Sequence, residues 1–225
     1  MEKTKSKNLI VKAVFQLLKL VVLIALPFIV LVRASVFFHA NYWFYPYFSL
    51  SLAFFLTLLV LLIYFLWIYA SVFGRKSINK RSLKIKGWIA TILLLSYCTY
   101  TLFFLSKSNA KTEVVKSEFV SLHPILRVSV GTIVLADQSM LITDMSRTTE
   151  DYKSMGLKTL KNSLHYPQKD GYVHAIDLRT NNRSEFRNRL LKYYFRLMGF
   201  HTLRHMGTAD HLHISLPIEQ NPNAI

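Results

Sequence analysis

The chain has 225 residues, 52% of them hydrophobic and 18% charged, and its 28 Lys+Arg against 12 Asp+Glu give a formal net charge of +16. So high an apolar content excludes a disordered chain, and a single cysteine, Cys98, excludes a disulfide scaffold. The first 106 residues hold 12 of the 28 basic residues and one acid, Glu2, a balance of +11, while the remaining 119 residues, with 16 and 11, carry +5. The basicity gathers in clusters within the apolar half. That is not the footprint of a folded nucleic-acid-binding domain, and no nucleic-acid partner is expected.

Three stretches reach the roughly 20 mostly apolar residues that a membrane helix needs. They are residues 13–32, with Lys19 and Pro27 inside; 48–73, with no charge; and 87–106. A cleaved signal peptide does not fit the first, because no A-x-A-like site follows Val32 and two further spans do. Lys3, Lys5, Lys7 and Lys12 precede the first span, and Arg75, Lys76, Lys80, Arg81, Lys84 and Lys86 lie between the second and third, whereas the intervening loop has only Arg33. The positive-inside rule then places the N-terminus and the 75–86 loop in the cytoplasm and the C-terminal half outside, in the periplasm of a bacterial inner membrane. Tyr42, Trp43, Phe44, Tyr45 and Tyr47 fit an interfacial aromatic belt at the outer ends of the first two spans. Residues 1–106 are therefore expected to be an all-α transmembrane segment of three helices in a lipid bilayer. The second and third spans contain no Asp, Glu, Lys, Arg or His, so they read as an anchor or as an interface to partner helices.

Residues 107–120 read as a linker and 121–225 as an extracytoplasmic domain. Within the domain, Ile125–Leu135 is rich in Val and Ile and reads as a strand or hairpin, and Met140–Thr143 as a short strand. Glu150–Leu160 has helical composition. Arg183–Met198 reads as an amphipathic helix, with Phe186, Leu190, Tyr193, Tyr194 and Leu197 recurring at 3–4 spacing, Asn182 or Ser184 as cap, and Gly199 after the end. His211–Leu216 alternates Leu212, Ile214 and Leu216 against His211, His213 and Ser215, the pattern of a half-buried strand. The order of elements suggests an α+β domain with a small antiparallel sheet.

Six of the eight histidines, His165, His174, His201, His205, His211 and His213, fall in this domain near Asp177 and Asp210, and such a concentration points to a metal site. Ser163-Leu-His165, then Gly171-Tyr-Val-His-Ala175-Ile-Asp177, then Asp210-His-Leu-His213 resemble the zinc-dependent D-alanyl-D-alanine peptidase family. Its fold is shared with the Hedgehog signalling domain, and it includes D,D-carboxypeptidases, dipeptidases and L-alanyl-D-glutamate endolysins. Ile142-Thr-Asp-Met-Ser-Arg147-Thr looks like the family's substrate-binding arginine segment, and the resemblance covers about residues 125–217. It implies Zn2+ held by His165, Asp177 and His213 with a fourth position left for water, Asp210 as general base, and Arg147 and Ser163 as substrate-binding groups. Arg147 would also pair with the developing oxyanion, and Arg179 is a weaker candidate for that task.

The family places its first His and Asp seven residues apart, whereas His165 and Asp177 are twelve apart, so five residues around Tyr166–Asp170 must loop out. His174 is the rival ligand. On a continuous strand residues three apart point to opposite faces, which favours His165 over His174. His211 shares the strand face of His213 and reads as an alternative or supporting group. The implied function is a membrane-anchored zinc peptidase acting on peptidoglycan stem peptides; the alternative is a catalytically inactive envelope protein using the same fold as a binding module.

Overall fold

A computed structural model describes residues 2–73, 80–156, 158, 162–207 and 210–218, with side chains from residue 11 onward except 72 and 73. Arg75 and Lys76, the side chains of Lys3, Lys5 and Lys7, Leu157, Leu160 and residues 219–225 lie outside the described residues. The N-terminal half forms helices α1 (Glu2–Tyr42), α2 (Pro46–Phe73) and α3 (Lys80–Phe103). All three are long and apolar enough to cross a bilayer. The first is much longer than the span expected for it. Its 41 residues reach about 60 Å at 1.5 Å each, against a hydrocarbon core of about 30 Å. The surplus is used for packing: Leu31, Val32, Ser35, Val36 and His39, recurring at helical spacing, are buried. The helix ends at Trp43, whose φ is 56°, and Pro46 opens α2 at a position where its missing N–H costs nothing.

The segment expected as a linker is folded. A 3-10 turn at Lys107–Asn109 leads to α4 (Glu113–Ser117), where Thr112 Oγ1 accepts from the Val115 N–H at 3.2 Å, and a second 3-10 turn follows at Glu118–Ser121. Asn109 is buried and its Nδ2 donates to the carbonyls of Gln138 and Met140 at 2.9 and 2.8 Å.

Ile125–Leu135, expected as a strand or hairpin, is instead helix α5 (Pro124–Ala136). Every residue from Pro124 to Gly131 is buried, so the helix is covered all round and presents neither a two-fold nor a 3.6-fold polarity. On one side it lies against α3, where a Cβ added at Gly131 would stand 2.8 Å from Thr101 Cβ. On another, the hydroxyl of Tyr194 donates to the Ser129 carbonyl at 2.9 Å. Gly131→Val is therefore expected to destabilise the protein by about 1–3 kcal/mol by forcing α3 and α5 apart, read as a lowered melting temperature in detergent.

The rest of the domain comprises β1 (Ile142–Asp144), α6 (Thr149–Ser154), β2 (Ala175–Arg179), α7 (Glu185–Met198), β3 (His201–His205) and β4 (His211–Ser215). The four strands form one antiparallel sheet in the order β1-β2-β4-β3. Helix α7 starts at a Ser184 cap and ends at Gly199, with φ 97°. Its buried stripe is Asn188, Leu191, Phe195 and Met198, whereas Phe186, Leu190, Tyr193 and Leu197 are exposed. The helix was legible in the spacing of its apolar residues, but two apolar stripes compete on it and the more regular one faces outward. Gly199 also lies where a Cβ would run into the Arg33 side chain of α1. A single buried cluster runs from Leu31, Val32 and Ala53 through Ile125 and Val130 to Ile176, Leu212 and Ile214. The domain thus shares its core with the apolar helices.

Candidate metal centre

Strand register assembles the site. Asp177 of β2 stands opposite His213 of β4, and Arg179 opposite His211, while β3 brings His205 opposite His211. Directly paired residues point to the same face with Cβ atoms about 5 Å apart, so Asp177, His213, His211 and His205 share one surface. The other face carries Ile176, Leu178, Leu212 and Ile214, all buried.

His165 reaches this surface from a loop that is held at several points. Its ring Nδ1 faces the Met145 carbonyl at 2.6 Å, and its amide donates to Ser163 Oγ at 3.2 Å. Ser163 Oγ in turn bonds the Tyr152 hydroxyl at 2.6 Å, and Tyr152 belongs to α6, which starts with a capping box between Thr148 and Asp151. Beyond His165 the chain turns back through Gln168, whose N–H donates to the Tyr172 carbonyl at 2.8 Å. Part of the twelve-residue interval between His165 and Asp177 is taken up in this turn, so both side chains arrive at the same point.

The three donor atoms converge. His165 Nε2 lies 3.2 Å from His213 Nδ1 and 3.5 Å from Asp177 Oδ1, and His213 Nδ1 lies 2.9 Å from Asp177 Oδ1. Ligands about 2.0–2.1 Å from a tetrahedral ion are spaced by about 3.3 Å, so these distances fit a small divalent cation. The contact of His165 Nδ1 with a carbonyl assigns its proton to Nδ1 and leaves Nε2 as a lone-pair donor, the usual arrangement for an imidazole ligand. The group can hold a metal ion.

Electrostatics support Asp177 as an anion. Burial pushes its carboxyl up, but with no metal bound the protonated forms of His165 and His213 would hydrogen-bond to it and outweigh that effect, holding it well below the usual carboxylate range. Arg147 adds to this by spanning two carboxylates, donating from Nε to Asp144 Oδ2 and from Nη2 to Asp177 Oδ2, each at 2.6 Å. Burial alone would lower the guanidinium's pKa, but Asp177, Tyr152 and Asp144 raise it above its ordinary value.

Of the cluster, Asp177 lines a cleft of about 690 Å³, together with Lys111, Asp144, Arg147, Arg179, Asp210 and His211. His211 Nε2 lies 3.6 Å from Asp177 Oδ2. Asp210 lies beside the cleft, but its carboxylate is engaged: Arg204 donates from Nε to Oδ1 at 3.1 Å and from Nη2 to Oδ2 at 2.8 Å, and Thr180 Oγ1 donates to Oδ1 at 2.6 Å. Those bonds hold its carboxyl below the ordinary value. Ser163 is buried beneath His165 rather than on the cleft wall. His174 is fully buried and is directed to Asp170, at 2.9 Å, away from the His165 cluster.

Sequence reasoning did not single out Asp144 as the second anchor of Arg147, although it stands three residues before it, nor Tyr152 as the support of Ser163. His205 was noted only in the histidine count; its ring stacks on His211 with centroids 4.8 Å apart. The alternation of His201, Leu203 and His205 against Thr202 and Arg204 carried the signal for that strand face. Comparison of the chain with protein-family models, with curated proteins and with solved structures finds no match.

Proposed function

We propose that the protein is a membrane-anchored, zinc-dependent peptidase acting on peptidoglycan stem peptides, of D-Ala-D-Ala carboxypeptidase or related endopeptidase type. The observation that carries this reading is the convergence of His165, Asp177 and His213, of which Asp177 also lines an open cleft that presents cationic side chains. Two His and one Asp suit zinc and leave coordination positions open, as a catalytic rather than a structural site requires. A zinc ion bound there would supply a Lewis acid and an acidified water. The positive-inside distribution of Lys and Arg supports a periplasmic location for the cleft, where such peptides occur.

The protein's own groups divide the remaining work. Arg147 fixes the orientation of Asp177, and its Nη1 donates to the Tyr152 hydroxyl at 3.4 Å. Arg179 and Lys111 offer positive charge to the free carboxylates of a stem peptide. Proton transfer requires a group at the cleft that can change its protonation state. His211, on the cleft floor, has that position, while Asp210 must first leave Arg204 and Thr180. With full-length protein in detergent and purified peptidoglycan, His211→Gln is expected to lower product release about 100-fold and Asp210→Asn less than 10-fold. The reverse order would return the base role to Asp210, and zinc-loaded protein that releases no product would refute the peptidase reading.

One observation favours a second reading. Because Asp210 and Arg147 are both spent on internal ion pairs, the same cleft suits a module that binds muropeptides without cutting them. That reading predicts muropeptide binding by calorimetry without turnover.

A further inference from the structure

A second group of metal-ligand type lies where the outer end of α1 meets the C-terminal domain. It comprises His39 from the end of α1, His123 at the cap of α5, and Asp170 from the turn after His165, and their donor atoms all lie within 4.8 Å of one another. His39 is 4% exposed and His123 0%. The His39 and His123 rings are 4.7 Å apart between centroids, and His123 Nε2 lies 3.7 Å from Asp170 Oδ2.

Two features show that hydrogen bonding within the protein leaves this pocket incomplete. Among the described residues, the buried Nε2 atoms of His39 and His123 have no hydrogen-bond partner. Buried polar atoms are nearly always paired, so two such atoms within one pocket call for a ligand. The surroundings are also prepared for a cation. His39 Nδ1 faces the Phe44 carbonyl at 2.7 Å, which places its proton there and leaves Nε2 as a lone pair. Asp170 is held by His174 Nε2 at 2.9 Å and by the Tyr172 N–H at 3.1 Å, an outer layer that orients a ligating carboxylate. Burial, reinforced by His174, His39 and Arg127, keeps His123 neutral, as a ligand must be.

We propose that His39, His123 and Asp170 bind a second divalent transition-metal ion, zinc by donor type, with His174 orienting Asp170, and that this ion pins the C-terminal domain to the outer end of α1. Two imidazoles and a carboxylate form a donor set of borderline softness suited to zinc. His123 Nδ1 accepts from the Ile125 N–H at 3.3 Å, so the neutral ring carries its proton on Nε2; binding a metal there would move that proton to Nδ1, give up this bond and require the ring to turn so that Nδ1–H does not face the Ile125 donor. That loss is small beside a metal–imidazole bond. His39 and His123 are buried, and the Asp170 side chain is 11% exposed, so the role of the site is structural. The turn between His165 and Asp177 delivers Asp170 to this pocket.

The test uses full-length protein purified in detergent, loaded with zinc, desalted and assayed for metal by mass spectrometry. Two equivalents per chain are expected in the unmodified protein, one in Asp170→Asn, one in His39→Ala, one in His213→Ala and none in the Asp170→Asn/His213→Ala pair. The equivalent retained in each single variant certifies that it is folded. Chelation is expected to lower the melting temperature of His213→Ala by more than that of Asp170→Asn, because only the former loses the ion that pins the domain to α1. If Asp170→Asn and His39→Ala both hold as much zinc as the unmodified protein, the proposal is overturned. A single equivalent that disappears with Asp170→Asn but survives His213→Ala would uphold this site and sink the peptidase reading instead; the opposite pattern would do the reverse.

Discussion

If the protein is the zinc peptidase proposed above, His213→Ala is expected to abolish metal binding at the β2–β4 site and to reduce peptidoglycan hydrolysis by at least about 100-fold while leaving the fold intact. Loss of a group that merely supports a metal ligand costs about 10–100-fold, so loss of a ligand itself sets the upper figure as a floor. The fold should survive because the His213 side chain is 23% exposed and Asp177 keeps its ion pair with Arg147. Asp177→Ala makes the contrast. Asp177 is 2% exposed and serves Arg147, His165 and His213 together, so its loss removes the metal and also leaves the Arg147 guanidinium with Asp144 alone. Removing one partner of a buried ion pair costs about 3–5 kcal/mol, and this variant should show a clearly lowered melting temperature as well as no activity. Activity and melting temperature measured on both variants separate the chemical role of the site from its structural one. Equal melting temperatures for the two would contradict this division.

Expression of residues 107–225 alone is expected to give aggregated or poorly folded material. A tethered domain would instead yield a soluble monomer. The reason lies in α5. Its residues Pro124 to Gly131 are buried on every side, and part of that cover comes from α1, α2 and α3. Arg127, 2% exposed, donates from Nη1 to the Leu102 carbonyl at 3.0 Å and from Nη2 to the Tyr47 hydroxyl at 3.1 Å, both in the N-terminal half. Cutting the chain at residue 106 would strip these partners and expose Ile125, Leu126, Val128 and Val130 near a guanidinium that has lost its acceptors. Each large apolar side chain returned to water costs about 1.5–3 kcal/mol, and a small domain is stable by only about 5–15 kcal/mol. Light scattering and circular dichroism on the fragment, beside the full-length protein in detergent, provide the measurement. A monodisperse fragment with a cooperative melt would show that the shared core is dispensable.

Much of the architecture was legible because it depends on local pattern. Long uncharged apolar runs specify helices of membrane length, and the alternation at His211–Leu216 specifies a strand with its histidines on one face. Of the two caps read for α7, Asn182 or Ser184, the structure uses Ser184, so the helix starts at Glu185 rather than Arg183, and Gly199 ends it as read. Reading failed where burial was complete or doubled. The α5 run has no polar face to show its period, and α7 carries two apolar stripes, of which the inner one includes Asn188. Neither case can be decided without knowing what lies on each side.

The candidate site divides along the same line. Residue types and order alone brought His165, Asp177 and His213 forward as a group, because imidazole and carboxylate donors are the chemistry a metal needs. The tertiary structure decided which atoms meet. Antiparallel register set Asp177 beside His213, a turn absorbed the residues after His165, and Arg204 drew Asp210 into an ion pair. It also sent His174 to Asp170 and set His39, 131 residues upstream of Asp170 and inside an apolar helix, against His123. Side-chain alternation is a property of neighbours along the chain. Convergence of donors is a property of strand pairing and of how the domain seats on α1, and those depend on contacts between residues far apart in sequence.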